Sequence, residues 1–165
     1  MVWILLVGLL AGIDLCIKAE IEARDSSEFP KPLEQTKGKI ILHKSHNAGF
    51  PFEILKSRPD LVEELPRAVF CGLSGVFGFL LPQKGHRIEK LSMALTLGGA
   101  LSNLYDRAKR KYVVDYFSID VKGIKKVIFN LGDFFIFAGA ALTVIAMLVN
   151  ELGQRGKKKK QNTRR

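Results

Sequence analysis

Four apolar runs of near-membrane length dominate the chain: Val2 to Ile17, Ala68 to Leu81, Leu91 to Leu104 and Phe134 to Val149. Crossing a bilayer takes about 20 mostly apolar residues, within a range of about 17–25. The last run meets that with its flanks; the second and third reach it when Leu65 to Pro82 and Ile88 to Tyr105 are counted whole. None shows the three-to-four spacing with a charged face that a soluble helical bundle needs. The expectation is a mainly α membrane protein with four transmembrane helices. Its 165 residues hold one compact domain, residues 1–150, and a tail.

An apolar amino-terminal run can also be a removable signal peptide, and Cys16 invites a lipoprotein reading. No Lys or Arg precedes it, however, and Asp14 and Leu15 stand where a lipoprotein cleavage site needs small residues. Asp14 and Lys18 are one helical turn apart and can pair. The run therefore reads as a retained helix, and a run that begins at Met1 leaves open whether this is the natural start. Cys16 and Cys71 read as small buried apolar side chains. The three histidines form no ligand pattern, so no metal and no cofactor are expected.

The net charge of +10 comes largely from the tail, residues 151–165, with Arg155, Lys157 to Lys160, Arg164 and Arg165. Such a run beside a span marks the cytoplasmic side and binds anionic lipid, so no nucleic-acid partner is inferred. The tail is expected to be disordered. Lys84, Arg87 and Lys90 put the second loop on the same side, with both termini cytoplasmic; the basic residues between Lys109 and Lys126 weaken that rule without reversing it. Two polar segments, about 20–64 and 108–129, should form a small outer β-cradle. Lys39 to His43 and Phe50 to Leu55 read as extended pieces, as does Tyr112 to Ile119. A Gly turn within Val121 to Lys126 then returns the chain through Val127 to Phe129.

The chemistry lies where polar strings meet apolar runs. Gly99, Asn103, Asp106 and Arg107 share one face of the third helix, with small residues allowing close approach of a neighbour. Asp133 opens the fourth helix, where unpaired amides favour a carboxylate, and Asn130 stands three residues before it. Asp115 lies on the extended segment between them. Each has a plainer reading: Asp133 a helix cap, Asp106 an ion pair with Arg107, Asp115 a solvated strand residue, Asp120 a loop surface residue. Carboxylates at a bilayer edge are costly, since an ionised Asp deep in a span costs about 2.5–3.5 kcal/mol even on lenient scales, and the set points to acid–base chemistry on water.

On Asp14-Leu15-Cys16-Ile17-Lys18, His46-Asn47-Ala48-Gly49, Gly98 to Arg107, Val113-Val114-Asp115-Tyr116 and Phe129 to Asp133, the chain resembles lipoprotein signal peptidase, the signal peptidase II family. The resemblance implies a bacterial membrane aspartic protease with its site near the outer face of the cytoplasmic membrane. Its catalytic pair falls on Asp115 and Asp133. Asn47, Gly49, Asn103, Asp106, Arg107 and Asn130 support the site, and Asp14 and Lys18 serve as structural polar residues. The implied partner is a diacylglyceryl-modified prolipoprotein, cut before its lipidated cysteine, and the enzyme is expected to be a monomer.

Three departures stand out: Phe50-Pro51-Phe52 where the family has two alanines and Phe, Gly132 where it has Ala, and Leu15-Cys16 where it commonly starts with Gln. They bear on substrate or inhibitor preference rather than on the dyad. A non-proteolytic paralogue binding lipidated proteins would share these residues. A small proton-linked transporter would show midplane polar residues or repeat symmetry instead.

Overall fold

The computed structural model describes residues 1–49, 58–119 and 127–162. Expectations for Phe50 to Leu55, Asp120 and the turn at Val121 to Lys126 lie outside them. Four helices carry the chain: α1 (Val2–Ala23), α2 (Pro59–Leu80), α3 (Arg87–Arg110) and α4 (Leu131–Asn162). Three strands, β1 (Lys31–Pro32), β2 (Ile40–Asn47) and β3 (Val113–Ile119), form an antiparallel sheet in the order β1-β2-β3. The helical runs of the sequence are thus present as longer helices, and two of its extended pieces, Lys39 to His43 and Tyr112 to Ile119, coincide with β2 and β3. Pro59 stands in the first turn of α2, where its missing amide costs nothing, so that helix starts earlier than its apolar run. α4 continues to Asn162, through most of the tail expected to be disordered. An apolar helix already formed propagates cheaply into Lys- and Gln-rich sequence, because elongation lacks the nucleation cost.

Polarity is inverted relative to a soluble domain. Asp14, Lys18, Asp106 and Asn130 are fully buried, while Leu5, Leu9, Val69, Phe79, Phe137, Met147 and Leu148 are exposed. Among the described residues two stretches, Val2–Ala23 and Leu131–Val149, are apolar and long enough to cross a membrane. α2 and α3 have similar lengths of 22 and 24 residues but carry charged groups at their ends. Cys16 and Cys71 are exposed on the helix surfaces rather than buried. Apolar side chains can face outward wherever the surroundings are not water.

α3 is the central helix, packed against each of the other three. Two adjacent glycines serve different neighbours. A Cβ on Gly98 would lie 2.8 Å from the Cβ of Leu10 on α1, and one on Gly99 would overlap the Gly132 carbonyl on α4. Beyond Arg110 the chain turns through Lys111, at φ 69°, directly into β3.

β2 pairs with β3 in a register that sets Ser45 opposite Asp115 and Asn47 opposite Val113. Its middle is fastened to the carboxyl end of α1: Lys44 Nζ donates to the carbonyls of Glu22 and the capping Arg24 at 2.9 and 2.8 Å. Phe129 returns to pair with Phe117 on β3, which delivers Asn130 and the start of α4 beside that strand.

Candidate active site

Asn130 joins the two carboxylates. Its Nδ2 donates to Asp115 Oδ1 at 2.8 Å, and its backbone N–H donates to Asp133 Oδ2 at 3.2 Å. Its Oδ1 accepts the Asp133 backbone N–H at 2.9 Å, so Asn130 and Asp133 form a reciprocal capping box at the start of α4. Asp133 is a helix cap and a site residue at once; the plainer reading and the functional one coincide. Asp115 Oδ2 accepts from Asn47 Nδ2 at 3.0 Å, and Asp133 Oδ1 accepts from Asn103 Nδ2 at 2.9 Å.

All three asparagines are held in one orientation by their carbonyl ends. Asn47 Oδ1 accepts from the Gly49 N–H at 3.0 Å, Asn130 Oδ1 from the Asp133 N–H, and Asn103 Oδ1 from Lys18 Nζ at 2.8 Å. An amide turned end for end would face those donors with its own NH2, so each NH2 is fixed toward a carboxylate. Every carboxylate oxygen of the pair thus accepts from a donor that cannot become an acceptor. A proton on the pair must point to the other carboxylate, to water or to substrate. Burial, and then the Asp133 charge, raises the Asp115 carboxyl to about 6.

Behind this site lies a buried ion cluster. Lys18 Nζ stands 3.0 Å from Asp14 Oδ2 and 3.1 Å from Asp106 Oδ2, all three fully buried. Asp106 also pairs with Arg110 and accepts the Val114 N–H at 3.1 Å, which ties the start of β3 to α3. Asp14 accepts from Ser102 Oγ at 2.5 Å, Tyr116 Oη at 2.9 Å and the Leu131 N–H at 3.1 Å. The Asp14–Lys18 pairing follows the spacing read in the sequence. The expected Asp106–Arg107 pair gives way to Asp106 with Lys18 and Arg110. Successive helical residues point about 100° apart, whereas Arg110 is one turn on and on the same face. Arg107 instead donates from Nη2 to the Gly49 carbonyl at 2.9 Å, and its charge acts on Asp115, Asp133 and Asp106.

The carboxylate of Asp133, Asn103 and Arg107 stand at the polar end of an apolar groove of about 370 Å³ between α2, α3 and α4, walled by Leu65, Val69, Phe70, Leu73 and Ile136. Ser102, Arg110 and Tyr116 belong to the polar network, yet the residue-by-residue reading did not single them out. Ser102 and Tyr116 lie inside the quoted motifs, and Arg110 is marked only by its four-residue spacing from Asp106.

A sequence profile of Signal peptidase (SPase) II matches residues 6–149. The chain belongs to this family. It is 35% identical over 113 residues to the lipoprotein signal peptidase of Mesorhizobium japonicum, a match covering 67% of this chain and 65% of that protein. With the lipoprotein signal peptidase of Clostridioides difficile it shares 31% identity across 92% of its own length and 97% of the relative's. A solved bacterial membrane enzyme has the same fold, at a TM-score of 0.75 and 19% identity over 91% of this chain and 89% of that one. Signal peptidase II is a family of proteases.

Proposed function

We propose that the chain is an aspartic endopeptidase that removes signal peptides from lipid-modified prolipoproteins, cutting on the amino side of the diacylglyceryl cysteine. The observation that carries this reading is Asn130 bonded to both Asp115 and Asp133, with Asp133 lining an apolar groove beside Asn103 and Arg107. Two carboxylates so close cannot both ionise cheaply, so the working pair shares a proton. The ionised partner takes a proton from water as its oxygen attacks the scissile carbonyl, which the protonated partner polarises. Collapse of the tetrahedral intermediate breaks the C–N bond, and a carboxyl proton passes to the leaving amine. Arg107 and the fixed NH2 groups of Asn47, Asn103 and Asn130 hold the charge in place.

The site-supporting roles of Gly49 and Asp106 follow from the same network: Gly49 positions Arg107, and Asp106 anchors β3. In this reading all four helices of residues 1–150 span the membrane, with both termini cytoplasmic and the dyad near the outer face. The monomer's tail, residues 151–165, meets anionic lipid on the inner side.

The test is cleavage of a diacylglyceryl-modified prolipoprotein peptide by the purified protein. Asp115→Asn and Asp133→Asn are each expected to abolish turnover while leaving membrane insertion intact, and the double variant to be no worse, because groups acting as one unit are non-additive. Substantial turnover in either single variant would exclude the dyad. Binding of the lipopeptide without cleavage by the wild type would make the chain a non-proteolytic paralogue.

A further inference from the structure

The three asparagine anchors are not alike. Asn47 and Asn130 are each tied by a backbone amide, whereas Asn103 is tied by a charged side chain, Lys18, reaching from another helix. Lys18 is fully buried and meets four oxygens: Asp14 Oδ2, Asp106 Oδ2, Ser102 Oγ at 3.1 Å and Asn103 Oδ1. Asp14, Asp106 and Ser102 would suffice to satisfy an ammonium with three N–H groups. The shortest of the four contacts nevertheless goes to Asn103, at 2.8 Å, and Asn103 passes directly to Asp133 at 2.9 Å.

We propose that Lys18 is a positioning residue for the reaction, acting through Asn103 to hold an N–H donor on Asp133 and so to favour its ionised form. Asp133 is thereby the partner that takes the proton from water, and Asp115 the one that carries the shared proton. This rests on the dyad reading given above. Asp133 is faced by Asp14 and Lys18 from α1, Arg107 from α3, and Asp115 and Tyr116 from β3. Its other oxygen takes the Asn130 N–H at the start of α4, where the helix dipole also favours negative charge. Asp115 has no backbone donor among its described hydrogen bonds; both its partners are neutral side-chain amides. With the ammonium gone, the Asn103 carboxamide is free to turn its oxygen to Asp133 and accept a proton from it, which reverses the preference.

The experiment compares wild type with Asp14→Asn/Lys18→Met, which removes one charge of each sign and leaves Asp106 paired with Arg110, and with Asn103→Leu, which keeps the ion cluster. Both are assayed on a diacylglyceryl-modified peptide across pH. The acidic limb of the kcat/KM profile is expected to move up by about one pH unit in both, the size of one lost hydrogen bond to a carboxylate. kcat should fall about ten- to hundredfold with KM changed less than about twofold. Adding the paired change to Asn103→Leu should shift the profile no further. A wild-type profile in either variant overturns the inference. If the paired variant does not accumulate in the membrane, Asp106→Asn/Lys18→Met, which leaves Asp14 its Ser102, Tyr116 and Leu131 donors, takes its place with the same expected shift. Failure of the dyad reading is distinguishable, because there Asp115→Asn or Asp133→Asn would still cleave.

Discussion

Asp115 is held at a cost to the fold. Burial and the Asp133 charge raise its carboxyl from the ordinary 3.8 to about 6, against the lowering effect of the Asn47 and Asn130 amides. Between those two values the folded chain holds a proton that the unfolded chain has released, so stability falls as pH rises through the window. Asp115→Asn removes that titration. At neutral pH the variant is expected to be more stable than wild type by about 1–2 kcal/mol, after allowing for one carboxamide NH2 meeting another donor. The advantage should vanish below about pH 4, where the wild-type carboxyl is also protonated. Thermal melting in detergent at the two pH values checks this; equal gaps at both would exclude the buried, charge-repelled carboxyl. A variant that is inactive yet more stable at neutral pH is the pattern expected where function opposes stability.

At the scale of elements, the α3–α4 seam sets the distance between Asn103 and Asp133. Gly99 lies against the Gly132 carbonyl, and Gly139 against Thr96 Oγ1 and the Ser92 carbonyl. A hydrogen bond of 2.9 Å between Ser92 and Thr143 closes the seam away from the site. Gly99→Ala is expected to push α4 outward, cost about 1–3 kcal/mol as overpacking does, and reduce turnover at least tenfold through the displaced carboxylate. Gly78→Ala on α2, where a side chain meets nothing within 4 Å, is the control and should leave both unchanged. Melting temperature and turnover of the two variants make the comparison. Gly132 is closed in as well: an added Cβ would stand 2.9 Å from Asp14 Oδ2 and 3.0 Å from both Asn130 Oδ1 and the Gly99 carbonyl. The close approach was legible in Gly98-Gly99, because small residues at a helix interface have few other uses. The strand carrying Asn47 was less so. Lys39 to His43 reads as a strand from its apolar residues, but β2 continues through Lys44, Ser45 and His46, whose pairing to β3 and fastening to α1 no local pattern announces.

For the whole molecule, a charged cluster of Asp14, Lys18 and Asp106 lies in the centre, while large apolar side chains such as Leu5, Phe79 and Met147 are exposed. The sequence shows which residues are polar in apolar runs, and Asp14 with Lys18 declares its own pairing by spacing. It does not show that Asp106 crosses to α1, since a contact between elements leaves no mark on either taken alone. Removing one member of such a cluster leaves its partner buried and uncompensated, a loss of about 3–5 kcal/mol. Asp106→Ala is therefore expected to lower the amount of folded protein in the membrane more than the activity of each folded molecule; quantified membrane fractions with active-site titration separate the two. Normal accumulation with no turnover would instead make Asp106 part of the chemistry. The cluster also orders the making of the protein in time. Asp14 and Lys18 lie on one helix, 3.0 Å apart, whereas Ser102 follows Lys18 by 84 residues. The ribosome delivers α1 to the bilayer long before any partner from another helix exists, and within the pair neither Asp14 nor Lys18 waits there unopposed. Asp14 receives its last donor, the Leu131 N–H, only when α4 begins to emerge. The nascent chain thus carries its own counter-ion until translation supplies the rest.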